Sequence, residues 1–207
     1  MTSWIPPLTR AVPAVALALA VTFSADHSAS LGLVTFGIFA AVTGLAMIVV
    51  ALFGPRGGVR TLSIVQGAVG VLAAIAALTV IGGGLAYLVL LVSAWAVITG
   101  SLEVYVGVRA RAAAVATARD SVFVGVATVL LAIAVQLVPP GLSQTFTVDG
   151  TEHELTASIV VVGLLGAYWA IIGVYLAIAA ASPRRPVEPE TTPDSPAVAG
   201  AAPEDAP

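Results

Sequence analysis

Leu85 to Arg111 reads LAYLVLLVSAWAVITGSLEVYVGVRAR, a long and nearly apolar run that ends in two arginines, Arg109 and Arg111. At about 1.5 Å of rise per residue, about 20 such residues cross the hydrocarbon core of a bilayer. Within this run stands Glu103, a carboxylate for which no other apolar run has a counterpart. Its central phrase, WAVITG (Trp95 to Gly100), returns in altered form twice elsewhere. The stretch therefore predicts an all-α membrane protein with several spans, built from repeats.

Composition extends this reading outward. The chain is 59% hydrophobic and 9% charged, against about 25% charged in an ordinary soluble domain. Its mean hydropathy is +1.06. Six spans are predicted, at about 11–25, 31–53, 60–81, 85–108, 121–138 and 157–181. Between them lie Gly54-Pro55-Arg56-Gly57-Gly58, Gly82-Gly83-Gly84, an Ala-rich connector bracketed by Arg109 and Arg119, and Pro139-Pro140-Gly141, all helix-breaking or charged. The first span has two readings. Arg10, a short apolar run and small residues around Ser24-Ala25 also describe a cleaved signal peptide. The repeat needs a partner for the second span, which favours a retained helix with Pro13 near its start, where Pro is tolerated.

Residues 139–156 form the one sizeable external loop. Asp149-Gly150 between strand-like residues is a hairpin signal, because both turn positions need positive φ; an irregular polar loop is the alternative. Residues 182–207 are rich in Pro, Ala and acid. Such a composition buries too little apolar surface to offset chain entropy, so a disordered tail is expected.

The arginines set the expected orientation. With six spans and the N-terminus inside, Arg10, Arg56, Arg60, Arg109, Arg111, Arg119, Arg184 and Arg185 all fall on the cytoplasmic side. Asp26, Asp149, Glu152, Glu154, His27 and His153 fall outside. This is the positive-inside pattern of a multi-pass protein of the bacterial cytoplasmic membrane.

The even spans share a phrase: FAAVTG (Phe39 to Gly44), WAVITG, and YWAIIG (Tyr168 to Gly173), each with an aromatic five positions before a glycine. Two odd spans match as well, GAVGVLAAIA (Gly67 to Ala76) and GVATVLLAIA (Gly125 to Ala134). The chain thus reads as three tandem helical hairpins of one orientation, unlike the inverted repeats of many secondary transporters. On these phrases, and on an arginine after the fourth and sixth spans (Arg109 and Arg184), the sequence resembles the HdeD-type acid-resistance membrane proteins. The likeness covers residues 60–184 well and 31–53 weakly. It departs from the family at the second outer turn, where glycines stand in place of proline, and in the external loop and acidic tail. The resemblance implies a six-span cytoplasmic-membrane protein linked to survival in acid, with no catalytic residues to carry over.

Several residues stand out. Gly44, Trp95, Gly100, Tyr168 and Gly173 are expected at helix-packing faces, since close approach at small residues holds membrane helices together. Packing within one subunit is the plain reading, and the seam of a homo-oligomer the alternative. Glu103 lies six residues before Arg109 and Gln66 six after Arg60, each about 9 Å inside the same membrane face, where they can hydrogen-bond. Anchoring or snorkelling, a proton or ion role, and a subunit contact are the readings for Glu103. His27, His153, Asp149, Glu152 and Glu154 are candidate pH-responsive residues. With Asp26 the outer loops carry −4 when the histidines are neutral and +2 when these are charged and the four acids protonated. Ordinary solvated loop residues are the bland alternative.

Without cysteine, disulfides, thiol catalysis and cysteine metal sites are excluded. No nucleophile–base pair, phosphate-cradling loop or intramembrane metal cluster is legible, so neither enzymatic activity nor a cofactor is expected. Two histidines on different loops make a weak metal case. The net charge of −3 implies no nucleic-acid partner. Three functional classes follow: a non-enzymatic stress protein acting on the bilayer or a partner, a small channel or transporter using Glu103 and Gln66, and a scaffold whose tail, with Arg184 and Arg185 against Glu188, Glu190, Asp194, Glu204 and Asp205, recruits a cytoplasmic partner.

Overall fold

The computed structural model describes residues 5–53, 57–112, 118–148 and 151–182. Among them are six helices, α1 (Ile5–Phe23), α2 (Ala29–Phe53), α3 (Gly58–Thr79), α4 (Gly84–Ala112), α5 (Ala118–Gln136) and α6 (Ala157–Ala181), and two strands, β1 (Ser143–Val148) and β2 (Thr151–Thr156). The tail lies outside the described residues. α2 to α6 are long and apolar enough to cross a bilayer; the apolar part of α1, Leu8–Phe23, is shorter. The protein is an all-α, multi-pass membrane fold.

Several helix boundaries have a local cause. α1 starts upstream of the expected span because Pro6 and Pro7 suit a first helical turn, where a missing N–H costs nothing. Pro13 therefore sits in the helix interior and not near its start. Ser28 precedes α2 and its Oγ accepts from the Leu31 N–H at 3.2 Å, an N-cap. Gly84 takes φ 74°, a left-handed conformation that glycine adopts without a Cβ clash, and so turns α3 sharply into α4. The Tyr87 hydroxyl then staples the pair by donating to the Ala76 carbonyl at 2.9 Å. Thr156 caps α6.

The external loop forms the antiparallel hairpin β1–β2, with Val148 opposite Thr151. Its turn, Asp149-Gly150, lies outside the described residues. The Ala157 N–H donates to Leu142 O at 3.0 Å, which ties the hairpin base to the start of α6.

Consecutive helices run up and down as three hairpins in series, but the closest packing is offset from that order by one helix. The most extensive contacts are α2 with α3, α4 with α5, and α6 with α1. Each odd helix also meets the even helix on its other side, so the six close into a ring, and the three even helices touch one another within it. There Phe36 and Phe39 of α2 meet Trp95 of α4 edge-on, at 5.3 and 6.0 Å between centroids, and Phe39 meets Trp169 of α6 at 5.5 Å. Edge-to-face geometry at these distances is the favoured aromatic arrangement.

The phrase glycines explain the offset. A Cβ on Gly44 would lie 2.7 Å from Gly67 O and 3.0 Å from Val71 N; on Gly100, 2.9 Å from Gly125 O and 3.1 Å from Val129 N; on Gly173, 3.0 Å from Val15 N. Each even helix thus lays its glycine on the backbone of the next odd helix, and α6 does so on α1. The same contact repeated three times puts Val15, Val71 and Val129 in equivalent places. It makes α1 a full member of the repeat, with Ala11, Ala14, Leu17, Ala18 and Val21 buried along one helical face.

Candidate functional site

The register set by Val15, Val71 and Val129 carries one further consequence. Five residues before each stand Arg10, Gln66 and Val124, equivalent positions on the three odd helices. Three residues after the phrase glycines stand Met47, Glu103 and Leu176 on the even helices. Glu103 is 7% exposed and Gln66 6% exposed. Gln66 Nε2 donates to Glu103 Oε2 at 2.8 Å, the bond that their shared depth predicts. Arg10 Nη1 donates to Glu103 Oε1 in a salt bridge that joins α1 to α4. Both carboxylate oxygens are engaged inside the bundle, so Glu103 points inward and does not snorkel to the interface.

Sequence reading missed Arg10 and placed it at a membrane boundary. In the structure its side chain turns into the helix ring, and 17% of it stays exposed. A signal for it does exist in the sequence. AVPAVALALA, Ala11 to Ala20, aligns with GAVGVLAAIA and GVATVLLAIA, and this puts Arg10 in register with Gln66.

The three side chains line a small chamber with about 20 Å³ of room for water centres, enough for about one water. Thr43, Thr99 and Thr128 add polar wall, and Phe39 and Trp95 close its inner end. The half-buried Met47 and the partly exposed Arg10 mark its mouth, at the end of the bundle where α1, α3 and α5 begin. Thr43 and Thr99 donate their hydroxyl protons to the carbonyls of Phe39 and Trp95, at 2.6 and 2.7 Å, four residues back on their own helices. Their oxygens keep lone pairs free to accept. Thr128 donates to Val124 O and also meets the Tyr168 hydroxyl at 2.8 Å, a polar link between α5 and α6.

Of the predicted packing residues, Gly44, Gly100 and Gly173 make the crossings described above, Trp95 is buried against Phe36 and Phe39 of α2, and Tyr168 is buried with its hydroxyl on Thr128 of α5. Of the candidate pH-responsive residues the structure describes the side chains of His27, Glu152 and Glu154. His27 is half-buried in the α1–α2 link, beside Asp26, whose carboxylate accepts from the Ser28 N–H and hydroxyl. Glu152 and Glu154 are exposed on β2, and Glu154 accepts from Ser143 Oγ at 2.7 Å across the hairpin. Asp149 and the side chain of His153 lie outside the described residues. Among the described residues no three His, Asp or Glu side chains group as metal ligands.

A second polar contact lies near the same end of the bundle. Asp120, in the first turn of α5, accepts from the Tyr175 hydroxyl at 3.0 Å, and Phe123 stacks on Tyr175 at 4.0 Å. Arg109 sits 5.3 Å from the centre of the exposed Tyr105 ring, a cation–π pair at the surface. Comparison with protein-family models, with curated proteins and with solved structures finds no match for this chain.

Proposed function

We propose that this is a non-enzymatic, multi-pass protein of the bacterial cytoplasmic membrane, of the HdeD type, that serves in acid or envelope stress through its contacts with the bilayer or a partner. The observation behind the reading is the aromatic–glycine phrase. It recurs in α2, α4 and α6 and makes the same backbone crossing each time, so the repeat on which the resemblance rests is a packing unit and not a chance of composition. Arginine at the bundle end where α1, α3 and α5 begin supports a cytoplasmic face there. The test is survival of a strain lacking the protein after acid challenge, with and without complementation. Lower survival that the wild-type chain restores supports the reading; equal survival with and without the protein removes the stress assignment.

The chamber favours a second reading, a small channel or transporter for protons or a small solute. Ionisable groups within the membrane are costly and commonly mark ion or proton paths. Here the buried Glu103 lines a chamber together with the partly exposed Arg10. Proton entry into liposomes after an external acid step, compared between wild type and Glu103→Gln, tests it. Flux that depends on Glu103 supports conduction, and flux no greater than in empty liposomes ends the proton form of the reading.

A further inference from the structure

We infer that the chamber binds a small monovalent cation bearing N–H donors, a free guanidinium or a primary ammonium, at Glu103, and that Arg10 is the resident side chain this ligand displaces. The inference rests on the transport reading of this site and names its ligand class.

The ring itself supplies the control. At the positions equivalent to Glu103 the chain places Met47 and Leu176, and at the position equivalent to Arg10 and Gln66 it places Val124. Val124 is 1% exposed and Leu176 4%, so these equivalent positions are filled by buried apolar side chains. Helix packing therefore does not require a carboxylate at this depth. Burying an ion pair costs desolvation that its attraction often fails to repay. Packing gives no account of Glu103, and a ligand does.

The lining decides which ligand. Set Arg10 aside, and the chamber presents one carboxylate, the Gln66 amide, three threonine oxygens whose hydroxyls bond their own helices, and the aromatic side chains of Phe39 and Trp95. An anion meets the Glu103 charge with no cation to offset it. A divalent metal finds a single carboxylate. An apolar molecule leaves that carboxylate bare. A cation with N–H donors replaces the bond that Arg10 makes to Oε1, finds further acceptors in Thr43 and Thr99, and lies beside rings that attract positive charge.

Arg10 is placed to yield. It stands at the chamber mouth on a long, flexible stem, so its head can swing outward without loss of helix. Its helix meets α6 with Ala11 where α3 and α5 carry Gly67 and Gly125.

The test uses purified full-length protein and guanidinium at millimolar concentration, far below its denaturing range, read by tryptophan emission and thermal shift. Wild type, Arg10→Gln and Glu103→Gln are compared, with tetramethylammonium as a cation that lacks N–H donors. Arg10→Gln copies the side chain at the equivalent position of α3, which favours folding; Arg10→Met serves if it does not fold. The expected result is saturable binding by wild type, binding about tenfold tighter in the Arg10 variant, and none in Glu103→Gln or with tetramethylammonium. No tighter binding once Arg10 is replaced, equal binding by Glu103→Gln, or equal binding of tetramethylammonium overturns the proposal. Proton flux that depends on Glu103 without guanidinium binding overturns it and leaves the transport reading standing. Guanidinium binding without flux of protons or guanidinium supports the site and removes the transport reading.

Discussion

Glu103 shows how a single residue acquires a fixed role inside a membrane. Its two oxygens are held by partners from two other helices, Arg10 from α1 and Gln66 from α3. Removing one partner of a buried pair strands the other charge, which commonly costs about 3–5 kcal/mol, whereas replacing both with apolar groups of similar volume is often close to neutral. Arg10→Val alone is therefore expected to lower the thermal midpoint sharply. Arg10→Val with Glu103→Leu, which copies Val124 and Leu176, is expected to recover most of the loss. A double variant no more stable than the single one counts against this account of the pair. Gln66 and Glu103 were legible in the sequence because helix rise counted from Arg60 and Arg109 gives a common depth. Arg10 was not, because an arginine just before an apolar run looks like a boundary marker, and only the register of α1 against α3 and α5 separates the two cases.

At the scale of the helix the determining contact is glycine on backbone. Gly44 and Gly67 oppose each other so closely that a Cβ on either would lie 2.7 or 2.6 Å from the other's carbonyl oxygen. Backbone in a packed helix cannot move aside as a flexible side chain does, so even Ala forces α2 and α3 apart. Gly67→Ala is expected to lower the thermal midpoint, and Gly44→Val to lower it further, each losing van der Waals contact that lipid does not replace. Gly163, on the exposed face of α6, has nothing within 4 Å of a Cβ. Gly163→Ala is expected to leave stability unchanged or raise it slightly, since Ala favours helix by about 1 kcal/mol. A midpoint equally insensitive at Gly67 and Gly163 removes the crossing as a source of stability. The sequence showed these glycines through the aromatic–glycine phrase, yet not which helix each one meets. A phrase on an even helix is compatible with a partner on either side. The choice depends on the apposed small residues, Gly67, Gly125 and, more faintly, Ala11.

For the whole molecule the ring unites the first and last of the described helices, because α6 closes on α1 as α2 does on α3. That closure gives the first apolar segment a structural place, with Arg10 in the chamber and Gly166 and Gly173 of α6 laid against Val21 and Val15. Up-and-down helices bring the starts of α1, α3 and α5 to one end, together with Arg10, Arg60, Arg109 and Arg119. They bring the β1–β2 hairpin, with Glu152 and Glu154, to the other. On the positive-inside rule, the arginine-bearing end is the one proposed to face the cytoplasm. The chain has no cysteine, so one introduced thiol is a clean probe of each face. Gln144→Cys places it on exposed β1 and Gly58→Cys at the exposed start of α3, where a Cβ meets nothing within 4 Å. In intact spheroplasts a membrane-impermeant maleimide is expected to label the first and to reach the second only after permeabilisation. The reverse pattern would turn the bundle over, put the chamber mouth on the outer face, and make Glu103 accessible to external and not to cytoplasmic ligands.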